Sequence, residues 1–311
     1  MIDHISFGAY PQSAVTDGAL LARLNALYPF RDSGDSAWTS YRYYIEGKPC
    51  DYTWYRDVVL DDATYRGVYF TALRPSWTID QADDHSEQAR NGFEPNHVYW
   101  FRFEPILWRV IAREVGQTFL VSDCILDSRT FNDKYVPEPF LHNSGEGYAN
   151  NYLLSDIRRW LNEVFLRTAF TTEEQARILP YEVDNSAAST NPYVEPDYFF
   201  HGQNPYASAD TQDRVFLLSF REITNPYIGF AHDWLDSDPN RQHLVTDYAR
   251  ALGCFTYPTG KYQGLGNWLL RSPRANDPED VRFVFASGVA EHYNCVYGTT
   301  YGIVPCITLP N

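Results

Sequence analysis

Short runs of aromatic and β-branched residues, separated by long polar or proline-containing stretches, constrain the fold of this chain most strongly. Aromatic residues make up 16% of the 311 residues, and such side chains favour strands and loop-rich folds over helix bundles. Gly116 lies between two of the runs, which predicts a hairpin. The clearest strand-like runs are Tyr41–Ile45, Tyr65–Phe70, Tyr99–Phe103, Ile106–Ile111, Thr118–Ser122 and Arg214–Ser219.

Three segments carry the start signals of helices. Ser155 can cap a segment whose apolar residues, from Ile157 to Phe165, fall on one face. The stretch Thr171–Glu174 has the pattern of a capping box, which opens a second helix. Thr246 to Gly253 predicts a short helix, with threonine at the N-cap and glycine just past the end.

Charge and hydropathy exclude two classes of partner. The chain has 25 Lys and Arg against 40 Asp and Glu, a net charge of −15, whereas nucleic-acid phosphates require clustered basic residues. No apolar run approaches the roughly 20 residues of a membrane span, so we expect no membrane insertion. With no break in composition, we expect a single domain. Residues 1–97 would supply N-terminal strands and an inserted aromatic segment, and 98–311 the core and a C-terminal binding segment. The oligomeric state stays open.

The cysteines give no sign of a metal centre or cofactor. Their number is odd and no CxxC pair occurs, so we expect no structural metal, no cofactor and no required disulfide. The N-terminal residues lack the basic and apolar regions of a signal peptide. We therefore expect a cytoplasmic protein as encoded, with surface or phage display by another route left open. The five are Cys50, Cys124, Cys254, Cys295 and Cys306.

Nine short blocks follow one another along the chain. They are Ile5–Gln12, Tyr65–Phe70, Phe103–Val110, Leu120–Asp123, Ser155–Asn162 with Ala169-Phe170, Arg214–Ser219, Thr246–Ala249, Trp268–Pro273 and Gly302–Pro305. In this order they resemble a bacterial and phage family of unknown function with a C-type-lectin-like fold. That family is related in architecture to formylglycine-generating enzymes and to the variable proteins of diversity-generating retroelements. The resemblance implies an α+β fold with short twisted antiparallel strands, two main helices and long loops.

The chain departs from the family pattern at two places. Family members often have a doubled tryptophan before Leu-Arg-Ser-Pro, whereas Asn267 precedes Trp268 here. They often close on Gly-Val-Arg-Pro, whereas this chain has Gly302-Ile-Val-Pro305. Any buried ion pair that the family arginine makes is therefore not expected here.

Between the blocks Trp268–Pro273 and Gly302–Ile307 the chain is rich in aromatic and polar residues. Rings supply rigid contact area and short polar groups supply adaptable hydrogen bonds, so this segment predicts ligand or protein binding, or display, and not catalysis. Retroelement variable proteins are diversified in the corresponding segment, and membership of that class is one reading of the resemblance. The predicted contact residues are Arg274, Asn276, Asp277, Arg282, Phe283, Phe285, Glu291, His292, Tyr293, Asn294, Tyr297, Thr299, Thr300 and Tyr301.

Two other readings stay open: a cysteine oxidase of the formylglycine-generating type, which would use Cys295 and Cys306, and a structural module without its own ligand. The tripeptide Glu94-Pro-Asn96 copies a sugar-binding motif of animal C-type lectins, but its partner motif is absent and we interpret it as a chance match. A calcium site at Asp233, Asp236 and Asp238 is likewise disfavoured against a polar turn. The sequence contains no GxSxG, HExxH or P-loop motif that would indicate a hydrolase.

The apolar patterning makes three predictions for the structure. Residues 268–271, 281–285 and 302–308 should form strands of one sheet, with a helix at 155–166 packed beside it. Trp268 and Arg271 should belong to the framework. Since Val284 separates two phenylalanines, Phe283 and Phe285 should share the opposite and exposed face of their strand.

Overall fold

The structure, a computed structural model, describes residues 3–41, 43–45, 48–76, 86–136, 140–142, 145–193, 203–290 and 293–311. Over these ranges the fold is mixed α/β, with few helices and open, mostly antiparallel sheets. None of the helices in these ranges has the length and apolar character that a membrane crossing requires.

The helices are short. They are α1 (Gly18–Leu27), α2 (Glu87–Arg90), α3 (Asp156–Trp160), α4 (Leu166–Ala169), α5 (Thr172–Arg177) and α6 (Asp247–Ala251). A π-helical turn, Leu161–Phe165, joins α3 to α4, so residues 156–169 form one continuous helix. Further 3₁₀ turns span Tyr152–Leu154, Ala187–Thr190, Glu222–Thr224, Pro226–Ile228 and Pro239–Arg241.

The predicted helix starts are confirmed by their caps. The Ser155 hydroxyl accepts the Arg158 backbone N–H at 3.2 Å. Thr171 forms the complete capping box with Glu174, and Thr246 caps α6, which ends before Gly253 at φ 95°. Each cap satisfies backbone donors that have no partner inside the helix, which is why the start positions could be predicted from the sequence.

The strands are numbered along the chain. Those of the N-terminal part are β1 (His4–Ala14), β2 (Thr39–Ser40), β3 (Tyr43–Ile45), β4 (Lys48–Cys50), β5 (Thr53–Leu60), β6 (Ala63–Phe70), β7 (Val98–Glu114), β8 (Gln117–Ser122), β9 (Cys124–Ile125) and β10 (Asp127–Ser128). Those that follow are β11 (Phe140–His142), β12 (Gly145–Gly147), β13 (Tyr181–Val183), β14 (Thr211–Asp213), β15 (Leu244–Val245), β16 (Trp268–Pro273), β17 (Asp280–Val284), β18 (Tyr293–Cys295), β19 (Gly302–Ile303) and β20 (Cys306–Leu309).

The larger sheet has seven strands and joins both ends of the chain. Its order is β2-β5-β6-β7-β8-β20, and β1 pairs with β7. The long strand β7 contains both predicted runs, Tyr99–Phe103 and Ile106–Ile111, so they are one strand and not two. The predicted hairpin at Gly116 is confirmed, because β7 and β8 pair antiparallel across this residue, whose φ is 83°. Gly67 in β6 allows a close approach, since a Cβ there would lie 2.8 Å from the Trp100 ring and 2.9 Å from the Trp38 ring.

A second sheet has five strands in the order β10-β19-β16-β17-β18. It contains 268–273, 280–284 and 302–303, but the prediction of one strand over 302–308 is wrong. The chain leaves this sheet after Ile303, and β20 pairs with β8 in the larger sheet. Pro305 lies at the break, and proline has no N–H with which to continue a ladder. The helix at residues 156–169 agrees with the predicted helix.

The run Arg214–Ser219 is not a strand, although every residue after the exposed Arg214 is buried. Val215, Phe216 and Leu217 have no exposed surface, and among them only Phe216 makes an isolated bridge, to Cys306. The side chain of Asn162 accepts the backbone N–H of Val215, which occupies a donor that a strand neighbour would use.

Most buried apolar side chains belong to one cluster that contains residues from Phe7 to Leu309. A smaller cluster of Leu24, Val58, Tyr65 and Trp100 lies where α1 covers the N-terminal strands. The cores of the two sheets are therefore continuous through the large cluster. The predicted division at residue 97 stays a prediction.

Candidate functional site

A surface pocket of about 1000 Å³ lies between the N-terminal strands, the loop 129–136 and the helix 156–169. This volume is at the upper end of the range usual for ligand sites, roughly 300–1,000 Å³. Tyr135 and Val164 line the pocket and are 53% and 44% exposed, so large apolar side chains are open to a ligand here. Six aromatic rings line it: Tyr10, Tyr41, Tyr44, Tyr55, Tyr135 and Trp160.

Arg129 lies in the pocket wall between two of these rings. Its guanidinium carbon is 4.5 Å from the centroid of the Tyr41 ring and 4.8 Å from that of Trp160. Among the described residues Arg129 has no hydrogen-bond or ion-pair partner. Burial lowers the pKa of Arg129, but Tyr41, Asp133 and Asp127 raise it by more, so the pKa is raised overall. The side chain is therefore a permanent cation.

Arg66 lines the same pocket, but a carboxylate neutralises it. Its Nε and Nη2 donate to the two carboxylate oxygens of Asp57, each at 2.7 Å, and its Nη1 donates to the Tyr248 hydroxyl at 3.0 Å. Its guanidinium carbon lies 4.6 Å from the centroid of the Tyr55 ring. The pocket thus contains two ring-stacked arginines, and only Arg66 has a carboxylate partner within the described chain.

The remaining charges of the pocket lie on its loop and its helix. The Lys134 ammonium is 4.6 Å from the centroid of the Tyr44 ring and makes no ion pair with any described residue. Arg159 is paired with Asp156 one helical turn away. Glu163 is exposed on the helix and also lines the pocket. The pocket therefore has a cationic side at residues 129 and 134, with the Asp133 carboxylate on the same loop, and an acidic group on the helix.

A buried carboxylate fixes two of the pocket tyrosines. Asp127 accepts the hydroxyl of Tyr10 at 2.6 Å, the hydroxyl of Tyr41 at 2.8 Å and the backbone N–H of Ser128 at 2.7 Å. Burial raises the pKa of Asp127, while the charge of Arg129 and the tyrosine hydrogen bonds act in the opposite direction. The two rings are consequently held in one orientation beneath the pocket.

The helix 156–169 presents Trp160 to the pocket just before its π-helical turn, and Glu163 and Val164 from within that turn. Such turns are rare and occur often at functional sites, because they shift which side chains face a given side. Asn162 anchors the turn on its other side: its amide nitrogen donates to the Val215 carbonyl at 2.9 Å. This anchoring fixes the rotation of the helix relative to the pocket.

The C-terminal segment does not form the exposed surface that the sequence predicted. Strand β17 lies inside its sheet, so Phe283 does not share an exposed face with Phe285, which is half-buried. Glu291 and His292 lie outside the described residues. Asn276 and Tyr293 are exposed. Arg274, Asp277, Asn294 and Thr300 are half-buried. The buried residues, at 5% exposure or less, are Arg282, Phe283, Tyr297, Thr299 and Tyr301.

The buried members of this segment have partners inside the protein. The guanidinium carbon of Arg282 lies 4.0 Å from the centroid of the Phe220 ring. The Thr299 hydroxyl donates to the Pro75 carbonyl at 2.8 Å. These buried polar and aromatic side chains therefore make their contacts inside the protein and not with a partner.

Tyr297 connects the predicted segment to the pocket. Its hydroxyl accepts the Val136 backbone N–H at 2.8 Å, and its ring centroid lies 5.8 Å from that of Tyr135. Val136 and Tyr135 both line the pocket. Tyr297 therefore supports the pocket wall from the protein interior.

Trp268 and Arg271 belong to the framework, as predicted. The Trp268 indole donates to the Arg241 carbonyl at 2.9 Å. Arg271 is 2% exposed and donates to the Glu222 carboxylate at 2.6 Å. Val304 is fully buried among apolar side chains.

All five cysteines are free thiols. Burial raises the pKa of Cys124 to about 11 and that of Cys295 to about 12, and it raises the pKa of Cys306 well above its ordinary value. A thiol needs a lowered pKa to act as a nucleophile near neutral pH. None of the five lines the pocket.

No group of three or more histidine, cysteine, aspartate or glutamate side chains in the described ranges is placed to hold a metal ion. Asp238 accepts the backbone N–H groups of Ala231 and Asn240, which fits the polar turn that the sequence indicates. Asn96 accepts the Tyr69 hydroxyl at 3.0 Å.

Comparison with known proteins gives one match. A search of curated proteins found no match, and a search of solved structures found none either. One family model, described as a domain of unknown function (DUF6273), matches residues 115–311. The match begins in the turn of the β7–β8 hairpin and includes the loop 129–136, the helix 156–169 and the C-terminal sheet. Because it covers more than half of the chain, this protein belongs to the DUF6273 family.

Proposed function

We propose that this protein is a binding protein whose ligand site is the pocket between the N-terminal strands and the helix 156–169. The observation that carries the proposal is the pocket itself: about 1000 Å³, walled by six aromatic rings and containing two cations without an ion-pair partner in the described chain. Apolar walls with a few oriented polar groups are the usual composition of a small-molecule site.

Binding is favoured over catalysis because the pocket lacks an activated nucleophile among its described lining residues. Burial raises the pKa of Cys295 and Cys306, and neither lines the pocket, which disfavours a cysteine oxidase of the formylglycine-generating type. The one buried carboxylate at the pocket, Asp127, already accepts two tyrosine hydroxyls and a backbone N–H. It is therefore better suited to orient rings than to move a proton.

The C-type-lectin-like fold and the link to retroelement variable proteins remain proposals. The mixed α/β fold with short strands and long loops is compatible with the first. A display function of the C-terminal segment is the second candidate, and it is favoured only by the exposed Asn276 and Tyr293. The ring of Tyr293 stacks on Arg274, at 3.1 Å from the ring centroid to the guanidinium carbon, so part of its surface is already occupied.

The pocket can be tested by filling it. Thr168 and Val164 line it from the helix, and we expect Thr168→Trp or Val164→Trp to abolish binding of small molecules by occupying the space. The measurement is ligand-observed NMR with a defined fragment library of ring compounds, neutral and charged, followed by titration of each hit.

Val115→Trp is the matched control, because Val115 is fully exposed in the β7–β8 turn. Hits should bind this control as they bind the unsubstituted protein. Hits that bind the pocket-filled variants undiminished would place the site elsewhere. Hits that depend on Tyr293 and Asn276 instead would support the second candidate.

A further inference from the structure

We infer that the ligand of this pocket carries an anionic group, a carboxylate or a phosphate, that binds the guanidinium of Arg129. The inference rests on the proposed function and specifies the chemistry of its ligand. It concerns one side of the pocket, where Arg129 and Lys134 are both stacked on aromatic rings.

The first argument is the unpaired charge. Removing a cation from water is unfavourable unless a hydrogen-bonded anion compensates it. The chain has 40 acidic residues against 25 basic ones, so carboxylates were available to pair with every arginine. Arg129 nevertheless makes no hydrogen bond or ion pair within the described chain: the charges of Asp127 and Asp133 act on it without direct contact, and it lines an open pocket. A ligand anion would supply the missing partner.

The second argument is geometric. Rings that stack on a guanidinium cover its two faces, whereas its N–H donors lie in its plane. The contacts of Arg129 with Tyr41 and Trp160 hold the group in position without using its N–H donors, since neither ring accepts a hydrogen bond from it. Asp127 fixes the Tyr41 ring in turn, so the orientation of the cation is set before any ligand arrives.

The third argument is an internal comparison. Arg66 is stacked on Tyr55 in the same pocket, and the two oxygens of Asp57 accept from its in-plane donors at 2.7 Å. That pair shows the arrangement that a ring-stacked arginine adopts when a carboxylate is present. Arg129 is also ring-stacked, but neither Asp127 nor Asp133, the carboxylates whose charges act on it, accepts any of its N–H donors. A carboxylate or phosphate of the ligand would complete the equivalent bidentate pair.

The acidic group on the helix fixes the orientation of the ligand. Glu163 lines the pocket and repels an anion, as does Asp133 on the loop. Because Asp133 acts on Arg129 itself, only Glu163 directs the anionic group, away from the helix and toward the cationic side at residues 129 and 134. The uncharged part of the ligand would contact the exposed faces of Tyr135 and Val164.

The experiment compares matched probes and matched arginines. The probe pairs are benzoate with benzamide and phenyl phosphate with phenol, together with inorganic phosphate alone. Dissociation constants are measured by titration calorimetry or ligand-observed NMR for the unsubstituted protein, Arg129→Met and Arg129→Lys. The control is Arg56→Lys, because Arg56 is also ring-stacked, 5.0 Å from the Tyr28 centroid, but does not line the pocket.

We expect each anion to bind at least tenfold more tightly than its neutral partner. Arg129→Met should remove this preference, Arg129→Lys should weaken it because lysine lacks the planar fork, and Arg56→Lys should leave it unchanged. Whichever of benzoate and phenyl phosphate binds more tightly identifies the anion as carboxylate or phosphate. Added salt should weaken the binding of the anionic probes only.

Three results would overturn the inference. They are neutral probes that bind as tightly as the anions, an Arg129→Met variant that retains the preference for anions, and the failure of every anion to saturate the protein at millimolar concentration. If neutral probes bind, their binding is lost in Thr168→Trp and Arg129→Met has no effect, the pocket is the ligand site but its ligand needs no anionic group. If probes bind Thr168→Trp as they bind the unsubstituted protein, both the proposed function and this inference are wrong. Should Arg129→Met lose the native circular dichroism spectrum, Arg129→Lys and Lys134→Met decide the question.

Discussion

At the scale of single residues, His243 shows how the framework keeps an ionisable group neutral. Its Nδ1 lies 3.1 Å from the Asp123 carbonyl oxygen, to which it donates, and its Nε2 accepts from Arg109 Nη2 at 2.9 Å. Its ring packs edge-on against Trp268, with centroids 5.0 Å apart. Burial lowers the pKa of His243 well below its ordinary value, and the charge of Arg109 lowers it further. A protonated ring could not accept from Arg109.

This arrangement predicts a loss of stability in mild acid. The unfolded chain binds a proton at His243 near pH 6.5 and the folded chain does not, so the stabilising contribution is present above that pH and is lost below it. The free energy of unfolding should fall by up to about 1.4 kcal/mol per pH unit below 6.5 from this group. Urea denaturation between pH 5 and 7.5 measures it. His243→Gln should flatten the slope, whereas His232→Gln, at an exposed position, should retain it.

At the scale of elements, the helix 156–169 depends on its N-cap residue, Ser155. The Ser155 hydroxyl accepts the Arg158 N–H and donates to the Tyr152 carbonyl at 2.8 Å. We expect Ser155→Ala to lower the free energy of unfolding by about 1 kcal/mol, the usual effect of losing an N-cap. Chemical denaturation measures the change. Ser86→Ala is the control, because Ser86 precedes α2 without a capping hydrogen bond and its substitution should change stability little.

The elements also show what sequence patterns can and cannot predict. Caps such as Ser155 and Thr171 were predictable because a cap is a local interaction of residues three apart. The π-helical turn was not, because it depends on the contact of Asn162 with Val215, far along the chain. The break between β19 and β20 had a signal, Pro305, that the apolar pattern alone concealed.

The site was harder to predict than the fold. Its parts, Tyr10, Tyr41, Arg129 and Trp160, are distant in sequence and meet only in the folded chain. The composition of the C-terminal segment, where rings and polar groups alternate, predicted a contact surface. Composition alone does not distinguish exposed side chains from buried side chains whose polar groups have internal partners. Runs of tyrosine in the N-terminal part were a signal that could have been read as pocket-lining residues.

At the scale of the whole molecule, the family match and the structural unit do not coincide. The match begins at residue 115, yet β8 pairs with β7 across that point, and Asp127 accepts hydroxyls from Tyr10 and Tyr41. We therefore expect residues 115–311 alone to fail to fold, as judged by the dispersion of amide signals in NMR. Residues 1–114 added as a separate chain should restore the native spectrum, because the cut falls in an exposed turn. A well-dispersed spectrum from 115–311 alone would contradict this.

The pairing of β20 with β8 has a consequence for the nascent chain during synthesis. Strand β8 is synthesised early, but one of its edges waits for residues 306–309, which leave the ribosome long afterwards. Open strand edges pair readily with other chains. Nascent chains of this protein thus carry an unsatisfied strand edge until residues 306–309 have been made, and chains that stop before residue 306 should be recovered as aggregates.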